Sequence, residues 1–217
     1  LPEKAICPIC NKRRAERYCP AKGEKICAVD CGTEREVTID CPSDCGYLIA
    51  AHRWESSHAK PVTENEILFP DVVLPPDVIQ MRGATLSGLG HAILLYALEQ
   101  SSLTDEEVFA ATQAMAETYR TLISGIYYEK PPDGAVAAGL YAAIAKFIEE
   151  EKKRETENPQ IPALKNSDIF HLLVFLLRFG RLRSNGRPRT RLFLNFLRAQ
   201  FPPEMGLAKE APRIIMP

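Results

Sequence analysis

The chain has 217 residues, 46% of them hydrophobic, with 27 Lys or Arg against 28 Asp or Glu and a formal net charge of −1. That length and apolar share allow one modest globular domain plus a small module. The near-zero charge excludes a global field aimed at nucleic acid or membrane, and no run of eighteen apolar residues offers a membrane span.

All seven cysteines fall between Cys7 and Cys45, with the spacing C-x2-C-x8-C-x7-C-x3-C-x9-C-x3-C, followed by His52 and His58. Disulfides need an oxidising compartment and usually an even count. Seven is odd and no secretory segment precedes them, so we expect reduced thiols and a cytoplasmic protein. An iron–sulfur cluster would leave three cysteines over. Structural zinc takes four Cys or His ligands per ion in a closed tetrahedron. Seven cysteines and one histidine make eight ligands, hence two zinc ions: Cys7, Cys10, Cys19, Cys27, Cys31, Cys41, Cys45 and His52. His58 competes for the eighth place, although a histidine at a helix end is more often plainly exposed.

The residues around the cysteines suit such sites. Cys7-Pro8-Ile9-Cys10 and Cys41 to Gly46 read as knuckle turns, with proline fixing one dihedral and Gly46 free to adopt positive φ. Ala21-Lys22-Gly23 reads as a hairpin turn between short strands. Cys27 and Cys31 share one face of a helical turn, and 47–57 reads as a helix. Seven residues separate Cys45 from His52, about 10.5 Å along a continuous helix, so both reach one ion only if the helix starts after Gly46.

This block resembles the B-box through Cys7-x2-Cys10, Arg17-Tyr18-Cys19 and Ile26-Cys27-x3-Cys31. It is similar to the MYND finger through Cys41-x3-Cys45-x6-His52, and more loosely to the HIT finger. The resemblance covers about a quarter of the chain. Lys22 stands where a B-box usually has an acidic ligand, and Ser56 where a MYND finger has a cysteine. It implies a cross-brace fold with two zincs on interleaved ligand pairs, in modules that mostly bind proteins. By B-box analogy one site is Cys7, Cys10, Cys27 and Cys31 and the other Cys19, Cys41, Cys45 and His52. The rival grouping places Cys41 and Cys45 with Cys7 and Cys10, leaving Cys19, Cys27, Cys31 and His52. The whole layout also resembles bacterial proteins with an N-terminal zinc module, a likeness that carries no assigned activity.

After the finger comes a segment with Pro61, Pro70, Pro75 and Pro76, which cannot be helical. Its Ile67, Leu68, Phe69, Val72, Val73 and Leu74 are too apolar for a solvated linker, so it is expected to lie extended on the domain that follows. From residue 78 the pattern turns helical. The apolar spacing predicts helices over 78–99, 104–128, 135–155, 168–183 and 190–201. Thr104-Asp105-Glu106-Glu107 is a capping box, and Ser167 is the expected cap of the fourth helix. Lys130-Pro131-Pro132-Asp133-Gly134 and Asn158-Pro159 are breaks. His91 and His171 sit in apolar helices and read as core residues.

The expected architecture is a small α+β treble-clef or cross-brace zinc module (1–58), a Pro-rich apolar linker packed on the bundle (59–79), an all-α bundle of about five helices (80–203) and a tail (204–217). No phosphate loop, HExxH or G-x-S-x-G motif occurs, and no ligand position looks open, so no catalytic residue is expected. The function expected is a non-catalytic interaction or regulatory adaptor with structural zinc and a protein partner that the sequence does not name. The alternative is nucleic-acid binding. Arg178, Arg181, Arg183, Arg187, Arg189, Arg191 and Arg198 lie within twenty-one residues, and Arg181, Arg183, Arg187, Arg189 and Arg191 around the turn at 184–190 could contact an anion. Against that stands their use in internal salt bridges with the acidic residues of 149–157.

Overall fold

A computed structural model describes residues 5–58, 67–158 and 162–201. The first half of the linker and the expected tail at 204–217 lie outside the described residues. The chain is mostly helical, with one small two-stranded sheet near the N-terminus. It divides into two compact units. One comprises Leu1–Pro61 with Asn185–Arg191; the other comprises Val62–Ser184 with Leu192–Pro217. None of the described helices is long and apolar enough to cross a membrane.

The first unit is built on a hairpin of β1 (Arg17–Cys19) and β2 (Glu24–Ile26), in which Arg17 faces Ile26 and Cys19 faces Glu24. The turn closes through the Gly23 amide on the Cys19 carbonyl at 2.9 Å. Gly23 has φ +70°, a conformation that side chains resist, which is why the turn falls there. Two helices follow, α1 (Ala28–Thr33) and α2 (Gly46–Ser57). The core is too small to stand on aliphatic side chains alone. Ile26 and Ile39 pack with Cys7, Cys19 and Cys27 in one buried cluster, and Ala15 and Leu48 are buried in the same unit. A single core in a module this small rarely supplies more than about 3–5 kcal/mol, so disulfides, a metal or a partner commonly supplement it.

The second unit holds α3 (Pro76–Met81), α4 (Gly83–Glu99), α5 (Asp105–Ile123), α6 (Ala135–Glu157), α7 (Asn166–Arg183) and α8 (Leu192–Gln200). Among the described residues there are thus six helices here where about five were expected. The helix predicted over 78–99 is two, because Arg82 leaves helical geometry at φ −99°, ψ 20°. Its side chain explains the break. The guanidinium is drawn into carboxylates and carbonyls from three segments: Glu155 at 3.1 Å, Asp168 at 3.1 Å, and the carbonyls of Pro162 and Ala163 at 3.0 Å each. Ser167 is likewise not the cap of its helix, which starts two residues earlier than expected, at Asn166, with Lys165 as N-cap.

α5 packs chiefly on α7 and α6, with α4 on α6. The core between them contains Ile93, Leu94, Phe109, Leu140, Ile144, Leu173, Leu177 and Phe193. Gly180 permits a close approach in that core: a Cβ there would meet Phe109 at 2.6 Å and Phe193 at 3.1 Å. The capping box at α5 is formed, with the Thr104 amide donating to Glu107 at 2.6 Å. Asp105 is completely buried, and its carboxylate accepts the amides of Phe193 at 2.9 Å and Leu194 at 3.2 Å. It therefore caps α8 from another helix. The described part of the linker belongs to this unit. Phe69 is buried edge-on against Phe170, and the Arg178 guanidinium donates to the carbonyls of Leu68 and Val72 at 2.9 Å each.

Candidate metal centre

Four groups converge in the first unit. The sulfurs of Cys7, Cys10 and Cys27 and a carboxylate oxygen of Asp30 all lie within 4.8 Å of one another, and three of these four residues are buried. Sequence dictates each placement. Cys7 and Cys10 bracket a tight turn closed by the Asn11 amide on the Cys7 carbonyl at 2.8 Å, with Asn11 at φ +52°. Cys27 ends the hairpin and is the N-cap of α1, where its sulfur accepts the Asp30 amide at 3.3 Å. Asp30 then sits in the first turn of α1, one ligand spacing after Cys27.

The electrostatics suit a cation. The Cys7 sulfur donates to Asp30 at 3.0 Å. Hydrogen bonds from the thiols of Cys10, Cys7 and Cys27 outweigh burial and hold the Asp30 carboxyl down at about 2. Burial pushes the Cys7 thiol up, but backbone hydrogen bonds from Cys10 and Cys27 overcome it and leave this thiol more acidic than usual. Burial wins at Cys27, whose thiol is raised. Arg13 approaches Asp30 at 3.5 Å from the rim. In this state protons and one guanidinium balance a site whose donors are anionic when they ligate.

All seven cysteines are free thiols. Among the described residues this is the one group in which three or more ligating atoms come so close. It differs in one member from the grouping drawn by B-box analogy and in two from the rival grouping. Asp30 holds the place assigned to Cys31: the two are consecutive positions of this short helix and so point in directions about 100° apart. Cys31 instead lines a cavity with Cys19, Cys41 and Cys45. His52 is not beside those cysteines' cavity lining; its Nε2 pairs with Glu36 at 2.9 Å. His58 closes α2, stacked on Trp54 with ring centroids 4.4 Å apart.

Glu36 is the organising group that the sequence hid. It is 2% exposed and sits at φ +55°, where a residue with a Cβ is uncommon. Its carboxylate accepts from His52 and from Asn185 Nδ2 at 3.0 Å, and its carbonyl accepts the Arg189 amide at 2.8 Å. Burial raises the Glu36 carboxyl, but the hydrogen bonds from His52 and Asn185 prevail and lower it. Around it the segment at 185–191 is bound into the finger. Arg187 donates to the carbonyls of Gly32 at 3.3 Å and Arg35 at 2.7 Å, and Arg191 pairs with Asp40.

Four of the five arginines proposed for anions are engaged by protein groups. Arg187 and Arg191 brace the finger. In the helical unit Arg181 pairs with Glu106 at 3.2 Å and stacks on Phe109, and Arg183 covers the rings of Phe179 and Phe196. Their partners are not the acidic residues of 149–157 that the sequence suggested. The Arg189 side chain is exposed.

No family model, curated protein or solved structure matches this chain.

Proposed function

We propose that the finger is a structural zinc module, with two ions as its ligand count leads one to expect, and that the chain is a non-catalytic interaction adaptor. The observation that carries this reading is the convergence of Cys7, Cys10, Cys27 and Asp30 on one buried point. Four protein ligands fill a tetrahedral zinc, and three thiolates favour zinc over the hard cations. A complete protein shell leaves no position for an activated water, so the ion's work is to hold the fold. The small aliphatic core of the finger gives it that work to do.

The adaptor part of the reading is supported by what surrounds the metal group. Tyr18, Tyr47 and Trp54 stand 56%, 42% and 62% exposed on a module of about sixty residues. Exposed aromatics are enriched where proteins meet proteins. Tyr18, Pro20, Tyr47 and Ala50 line one open groove of the finger. Nucleic-acid binding has no comparable support, since Arg181, Arg183, Arg187 and Arg191 are engaged within their own units.

The test is metal content together with exchange. Native mass spectrometry of the full chain should find zinc. Strong chelation should release it and collapse amide-exchange protection over residues 5–58 while the helical unit keeps its protection. A metal-free chain with a fully protected finger would overturn the proposal.

A further inference from the structure

Cys19, Cys31, Cys41 and Cys45 come from four separate places in the sequence: the end of β1, the middle of α1, the loop after Ile39, and the N-cap of α2. All four line one small, largely apolar cavity, with about 20 Å³ of room for a water-sized sphere. That is enough for one such occupant. We propose that this cavity is a second, all-cysteine metal site, for one zinc-class divalent ion held by Cys19, Cys31, Cys41 and Cys45. The proposal rests on the finger being a metal module. It departs from the grouping drawn by B-box analogy and from its rival, both of which gave His52 to the second ion.

Two observations bear on it beyond the gathering of sulfurs. The first is Arg35, which lines the same cavity and whose Nε is buried without a hydrogen-bond partner. A buried N–H left unpaired costs about 1–3 kcal/mol, and a cluster of metal-bound thiolates would supply the missing acceptor. The second is His52, which is committed to a buried carboxylate and so is not needed to complete the set.

The sulfurs of this second set are not drawn within 4.8 Å of one another, as the first set's ligating atoms are. Tetrahedral zinc–thiolate geometry places sulfurs about 3.8 Å apart, from a bond of about 2.3 Å. Binding an ion here would draw the four sulfurs together. The two sites then differ in chemistry, three sulfurs and one oxygen against four sulfurs.

The experiment uses the full chain loaded with zinc, then with cadmium-113 or cobalt(II). Native mass spectrometry should count two ions in the wild type and in His52→Gln, and one in Cys41→Ser and in Cys7→Ser. The wild-type chain should show two cadmium resonances, one in the four-sulfur range and one shifted by an oxygen ligand. Cobalt in Cys31→Ser should lose the four-sulfur charge-transfer signature and keep the weaker one. The cadmium spectrum of the unaltered chain and the His52→Gln count keep the test open if a cysteine variant fails to fold. One ion in the wild type, lost in Cys7→Ser and kept in Cys41→Ser, would overturn the second site and leave the first standing. Two ions with one lost in His52→Gln would overturn the ligand set proposed here. No ion in any form would overturn both sites together.

Discussion

Replacing Arg82 with alanine should be among the most damaging single changes in the helical unit. The guanidinium is 11% exposed and donates to Glu155, which is 5% exposed, to Asp168, which is 15% exposed, and to two backbone carbonyls. Truncation leaves two carboxylates with little water and no cation, and removing one partner of a buried pair costs about 3–5 kcal/mol. Part of the burden at Asp168 is relieved by its place in the first turn of α7, where the helix dipole favours negative charge. We therefore expect the lower half of that range, about 3–4 kcal/mol. Domains of this size lose about 2–4 °C of melting temperature per kcal/mol, which gives a fall of about 6–16 °C. Urea unfolding followed by far-ultraviolet circular dichroism reads it, because the helical unit dominates that signal. Arg82→Lys should recover only part of the loss, since one ammonium cannot span both carboxylates and both carbonyls. A loss below about 1 kcal/mol for Arg82→Ala would refute the reasoning, by showing that solvent reaches the carboxylates as soon as the arginine is gone.

Two further effects should be measurable in the same unit. Asp105→Ala should cost about 2–3 kcal/mol, from two charge-assisted hydrogen bonds to the first amides of α8; hydrogen exchange should show residues 192–200 losing protection well before α5 or α7, and uniform loss would count against a capping role. Tyr141 has its hydroxyl pushed up to about 12, first by burial, from an ordinary value of 10. A raised folded value means the neutral phenol stabilises the fold in full below pH 10 and that this stability drains away as the pH rises toward 12. Tyr141→Phe should flatten the alkaline fall in stability across that window, and an unchanged slope would assign the fall to other groups.

Much of the helical unit was legible because its signals are local. The capping box at Thr104 and Glu107 involves four adjacent residues, and the apolar stripe of α5 repeats every three or four. The split of α3 from α4 was not legible, because its cause is a guanidinium reaching Glu155 and Asp168, more than seventy residues away in sequence. The cap of α8 was hidden for the same reason: Asp105 reads as a first-turn residue of its own helix, not as the acceptor for Phe193. In the finger, the cysteine spacing pointed to metal chemistry but not to which residues meet. Asp30 had a signal that could have been used, since Cys27-x2-Asp30 repeats the spacing of Cys7-x2-Cys10 with oxygen in place of sulfur. Glu36 had none. An acidic residue in a charged loop looks solvated until Asn185 and Arg189 come back to it from 149 and more residues later.

That return has a consequence for the order in which the chain is made. Asn185 and Arg187 reach Glu36, Gly32 and Arg35 across sequence separations of 149 to 155 residues. At about 5–20 residues synthesised per second, the finger waits about seven to thirty seconds between the emergence of its last cysteine and the arrival of its final braces. During that interval its thiols are the most accessible they will ever be, both to metal and to oxidants. Early metal capture would shorten the exposure, and a shortage of metal during synthesis would damage this protein more than the same shortage afterwards.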